Sequence, residues 1–127
     1  MSLTDRPSVN PGGNIMVQHY GHLRNDRRSV LLHRAIAQKL LTSPKMVLAK
    51  ARGHITVMAQ NPRTRRYADL WFRLLDLPIP ALAERLTEFS EEMAALRQCT
   101  PFAGVLTPQE RWQIYRKFRE DEQNDSQ

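Results

Sequence analysis

The basic group Arg63, Arg65 and Arg66, with Lys50 and Arg52 shortly before it, is the most informative set of side chains in this sequence. Guanidinium forks bind carboxylates and phosphates at two points. Such a corner suits a nucleic-acid backbone or the acidic active site of another protein. Arg52, Arg63, Arg65 and Arg66 are therefore the candidate partner-binding residues. The competing reading is a solvated cluster at a helix end.

Other residue types point less clearly to chemistry. His19 and His22 are three apart and would reach one metal ion if they shared a helical turn. The segment around Gly21 reads as a loop, and no cysteine or carboxylate cluster completes a ligand shell, so no metal site is expected. His33 and His54 read as helix-surface or partly buried residues. Cys99 lacks an identifiable base and reads as a free buried thiol. Glu84, Glu88, Glu91 and Glu92 look like solvent-facing helix residues rather than an acid–base pair. Asn10-Pro11-Gly12-Gly13-Asn14 lacks the lysine and hydroxyl ending of a phosphate loop. No Gly-x-Ser-x-Gly or His-Glu-x-x-His occurs. The expectation is a protein with no catalytic residue and no cofactor, and an enzyme is the least favoured class.

The elements that position these groups follow from punctuation and period. Residues 1–27 carry Pro7, Pro11, Gly12, Gly13 and Gly21 with little apolar content, so an irregular arm is expected over 1–28. Such an arm would order on binding a partner. Ser29 reads as an N-cap, and Leu32, Ala35, Ile36 and Leu40 follow helical spacing over about 29–42. Ser43-Pro44 predicts a second helix over about 44–60, stopped by Asn61-Pro62. Gly53 inside it would let another helix approach closely. Further helices are predicted over about 65–76, 80–88 and 91–98, the last capped by Ser90, with Phe89 directed to the core. Thr107-Pro108-Gln109-Glu110 is a capping box that opens a helix over about 108–121, with Trp112, Tyr115 and Phe118 near one face. Residues 122–127 read as a polar, fraying tail. No stretch alternates with period two. The pattern specifies an all-α compact bundle of five or six short helices spanning 29–121.

Composition bounds the class. The chain has 127 residues, one cysteine and a formal charge of +6, which fits one domain without a disulfide. No apolar run is long enough to span a membrane, and no secretory signal is visible, so a cytoplasmic setting is expected. Charge is uneven: residues 1–75 carry a net +10 and residues 76–127 a net −4. The basic half is expected to meet something anionic. A helix-turn-helix made from the 29–42 and 44–60 helices has a short turn. Its second helix, however, offers Lys45, Lys50, Arg52 and His54 instead of a base-reading Asn/Gln face.

The stretch Leu96-Arg97-Gln98-Cys99-Thr100-Pro101-Phe102-Ala103-Gly104-Val105-Leu106-Thr107-Pro108-Gln109-Glu110-Arg111-Trp112 is distinctive. With Leu32-His33-Arg34-Ala35-Ile36-Ala37 and the Trp71–Leu75 segment, it resembles a family of small helical bacterial proteins encoded beside nucleotidyltransferase-like toxins. The likeness covers roughly residues 29–118. It implies an antitoxin that binds a partner toxin enzyme and covers its active site, with no binding residues transferable one by one. The alternative is a nucleic-acid-binding regulator that uses its basic N-terminal half.

Overall fold

The computed structural model of the protein describes the backbone of residues 13–125 and the side chains of residues 26–124. Six α-helices follow in order: α1 (Gly13–Thr42), α2 (Pro44–Gln60), α3 (Arg65–Leu74), α4 (Ile79–Leu86), α5 (Glu91–Gln98) and α6 (Pro108–Asp125). A 3-10 turn at Ala103–Val105 precedes α6. Among the described residues there is no strand, and no helix is long and apolar enough to cross a membrane.

The first helix differs most from the sequence expectation. It begins at Gly13 and runs for 30 residues, rather than starting at Ser29. No proline occurs between Pro11 and Pro44, so nothing removes a backbone donor or clashes with the preceding turn. Gly21 weakens a helix without ending it. Ser29 lies inside α1, where its carbonyl accepts the His33 Nδ1 proton at 2.7 Å. Of the arm expected over 1–28, residues 1–12 lie outside the described residues, and 13–28 form the first half of α1.

Elsewhere the punctuation sets the boundaries. Pro44 opens α2, although the Ser43 hydroxyl makes no capping bond. Asn61 takes an extended conformation before Pro62 and closes it. The turn into α3 is tied by Asn61 Oδ1, which accepts the Arg63 N–H at 2.9 Å. The Thr64 hydroxyl also donates to the Met58 carbonyl at 2.7 Å. Ser90 caps α5 by accepting the Met93 N–H at 3.2 Å. At α6 the capping box is complete: Thr107 N–H reaches the Glu110 carboxylate at 2.8 Å and Glu110 N–H reaches the Thr107 hydroxyl at 3.1 Å. The helix continues to Asp125, into the segment read as a fraying tail.

α1 is the spine. It packs against α2, α4, α5 and α6, while α3 packs on α2. Ile36 and Leu40 of α1, Val47 and Ala51 of α2, and Leu82 and Leu86 of α4 share one core. Trp71 brings α3 into it. Its ring meets Phe102 edge-on at 5.4 Å, and its Nε1–H is shared between the carbonyls of Leu96 at 3.2 Å and Cys99 at 2.9 Å. The donor of a buried indole is thereby satisfied at the C-terminal end of α5.

Polar ties recur along α1: Asp26 and His33, seven residues apart, share one side of the helix, and Lys39 stands about a third of a turn around from them. Asp26 accepts from Arg97 of α5 at 2.8 Å. His33 bonds Thr100 at 2.9 Å. Lys39 reaches the Val105 carbonyl at 3.2 Å and the Glu110 carboxylate at 2.7 Å. Together they fix α5, the connector and the start of α6 against the spine.

Several side chains depart from their expected places. Phe89 is 71% exposed rather than core-directed, because it follows α4 in the turn to α5. Trp112 is 54% exposed. The face of α6 that meets α1 is carried instead by Ile114 and Phe118, with the Arg28 guanidinium 4.4 Å from the Tyr115 ring centre. Among the described residues nothing packs onto Gly53: a Cβ there would meet nothing within 4 Å. Gly104 does permit a close approach, since a Cβ on it would lie 3.2 Å from His54 Nε2.

Candidate functional site

Between Asp26 and Asp69 the sequence holds ten lysines or arginines and no acidic residue. In the fold this stretch supplies the second half of α1, all of α2 and the corner into α3. Arg63 sits in the turn, Arg65 and Arg66 begin α3, and Arg52 lies on α2; all four are exposed. The structure brings Arg63, Arg65 and Arg66 together at one corner.

Arg52 joins them through the geometry of α2. Arg65 Nε donates to the Ala59 carbonyl at 3.2 Å, so its side chain lies back on the end of α2. Arg52 stands seven residues before Ala59, and Lys45 seven before Arg52. Seven residues are close to two helical turns, so these positions share one face at intervals of about 10 Å. Lys45, Arg52 and Arg65 thus form a file of cations. Lys45 stands outside the partner-binding set expected from the sequence, where it figures only in the helix-turn-helix reading; its seven-residue spacing from Arg52 is the signal that includes it. On α3, Arg66, Leu70 and Arg73 stand at i, i+4 and i+7, all exposed. Arg66 lies 4.8 Å from the Tyr67 ring centre and donates to its hydroxyl at 2.8 Å. That contact raises the guanidinium pKa above its usual value.

These cations differ from those that hold the fold. Lys39, Arg85, Arg97 and Arg116 each pair with a carboxylate. Among the described residues, Arg52, Arg63, Arg65 and Arg66 have no carboxylate partner. Like charges gathered without counter-charges repel one another, so ion pairing within the fold does not account for this grouping. An exposed aromatic shares a face with them: Phe72, seven residues after Arg65 on α3, is 59% exposed. The surface can therefore offer two-point charge contacts and apolar contacts together.

The other candidates resolve differently. His33 and Thr100 have the contacts of a base and a hydroxyl nucleophile, with Ser29 orienting the ring. Since the Ser29 carbonyl must accept, Nδ1 carries the proton and Nε2 accepts from Thr100. His33 is only 1% exposed, more deeply buried than the helix-surface or partly buried position expected for it, so this pair ties α1 to the connector. Burial, aided by the positive charge of Arg97, lowers the His33 pKa to about 4. Cys99 is partly buried and free, and its carbonyl serves Trp71. Glu88 and Glu92 both pair with Arg85. The side chains of His19 and His22 lie outside the described residues. Among the described residues, no group of three or more His, Cys, Asp or Glu is placed to hold a metal ion. An open cleft of about 540 Å³ between α1 and α6 sets Arg27 and Arg34 near Asp121 and Glu122, over Val30 and Phe118.

The helix-turn-helix question also changes. The break between α1 and α2 is the single residue Ser43, whereas α2 and α3 are joined by four residues, 61–64. The exposed side of α3 carries Arg66, Asp69, Leu70 and Arg73, without an Asn or Gln. Compared with protein-family models, curated proteins and solved structures, the chain matches none.

Proposed function

We propose that this protein is a binding module that makes no bonds of its own and meets an acidic protein surface with its α2–α3 corner. One observation carries the reading: Arg52, Arg63, Arg65 and Arg66 are exposed, without carboxylate partners among the described residues, and Arg65 shares a face of α3 with exposed Phe72. Arginine and aromatic side chains dominate the energetics of protein interfaces. In its specific form the proposal is antitoxin-like. The partner is a toxin enzyme met in the cytoplasm, and the arginines cover the carboxylates of its active site, as the family resemblance implies.

A second reading, binding to nucleic acid, is favoured by the file Lys45, Arg52 and Arg65, whose spaced cations suit a phosphate backbone. Exposed Phe72 and Val57 add nothing to such contacts, which ranks this reading second.

The test is recovery of the tagged full-length chain from its source cells after nuclease treatment. A stoichiometric protein partner is expected, together with relief of harm when the neighbouring gene is expressed. No partner, equal harm with and without the chain, and a gel shift that fades steeply with salt would replace the module reading with the nucleic-acid one.

A further inference from the structure

Beside the cation file, α2 forms one wall of an open groove. Ala49, Gly53 and Val57 line it from the helix, with Lys50 and His54 between them and Gly104 of the 3-10 turn, which closes the far side. Its volume is about 440 Å³. Met46, 39% exposed, extends the same apolar strip by one turn. Nothing in the described molecule comes within 4 Å of a Cβ placed on Gly53, so the floor is open to close approach by another backbone.

Both rims are basic. Helical phase sets Lys45 and Arg52 along one edge of the strip and Lys50 and His54 along the other. Lys50 Nζ contacts only the Gly104 carbonyl, at 3.5 Å, and makes no ion pair among the described residues. α2 contains no acidic residue at all. An apolar strip with Lys45 and Arg52 uncompensated along one edge and Lys50 along the other is complementary to a helix with an apolar stripe flanked by carboxylates.

We infer that this groove holds an acidic amphipathic helix of the partner protein, seated on Ala49, Gly53 and Val57 with its carboxylates reaching Lys45 and Arg52 on one side and Lys50 on the other. The inference rests on the binding-module reading and names the partner element. A phosphate backbone would use the rims and leave the strip uncovered, which is why the strip favours a peptide.

The experiment selects helical peptides from a displayed library against the purified full-length protein. The selected peptides are then titrated against three forms: unaltered, Gly53→Gln and Lys50→Glu. Glutamine is a better helix former than glycine, so Gly53→Gln fills the groove without weakening α2. Expected are peptides with small apolar residues at i and i+4 flanked by Asp or Glu, binding at least tenfold more weakly to each variant. Peptides without acidic enrichment, peptides indifferent to Gly53→Gln, or binding of a double-stranded oligonucleotide alone would each overturn the inference. Recovery of the cellular partner by the Gly53→Gln form would overturn this groove assignment while leaving the module reading intact.

Discussion

His33 and Thr100, 67 residues apart in sequence, are joined by a 2.9 Å hydrogen bond between the imidazole Nε2 and the threonine hydroxyl. With Nδ1 donating to the Ser29 carbonyl, the ring is held neutral between two fixed partners. The bond is thus a structural tie with a pH signature.

Folding holds the His33 pKa near 4, below the ordinary 6.5. The unfolded chain therefore takes up this proton first as pH falls, so stability is fully present above 6.5 and lost progressively down to about 4. A shift of this size corresponds to about 3 kcal/mol. Glu110 acts at lower pH: its hydrogen bond to Lys39, then those to Thr107, lower its pKa from 4.5 to about 2. Its contribution is present above 4.5 and lost as pH falls through about 2. Urea unfolding at pH 7, 5 and 3 reads both windows. A His33→Gln variant should lose the slope between 6.5 and 4; an unchanged slope would remove His33 as its source.

The buried guanidinium of Arg97 is a second tie. It donates to Asp26 and to the carbonyls of Leu86 and Glu88. Asp26→Ala leaves that charge without its counter-ion and should cost about 3 kcal/mol, in line with other broken buried pairs. Adding Arg97→Met should cost less than the two single changes summed, because the uncompensated charge goes with it. Additive losses in a denaturation cycle would contradict coupling between the two.

Gly53 offers the opposite sign. It stands in the exposed interior of α2, and among the described residues nothing lies within 4 Å of a Cβ placed on it. Gly53→Ala should raise stability by about 1 kcal/mol. A lower thermal midpoint would show that α2 needs the glycine for its own fold.

Much of the helical layout was legible because proline and capping residues act locally. Pro44, Asn61-Pro62 and the Thr107–Glu110 box mark boundaries that the structure keeps. The start of α1 was not legible: Ser29 has the chemistry of a cap, yet nothing in the preceding residues stops the helix. The ties of Asp26 and His33 were hidden for another reason, since their partners stand 71 and 67 residues away in sequence. Phe89 was misplaced because helical phase cannot say how the turn between α4 and α5 is aimed. The arginine corner showed as a local cluster. Its extension to Lys45 required both the phase of α2 and the return of Arg65 onto Ala59.

The most direct measurement reverses the corner's charge. Arg52, Arg63, Arg65 and Arg66 carry no carboxylate partner among the described residues, so changing all four to Glu should leave thermal stability close to that of the unaltered chain. Partner recovery from nuclease-treated cells should fall at least tenfold. Undiminished recovery by a folded variant would show that the partner is held elsewhere and that the basic corner is only a solvated surface.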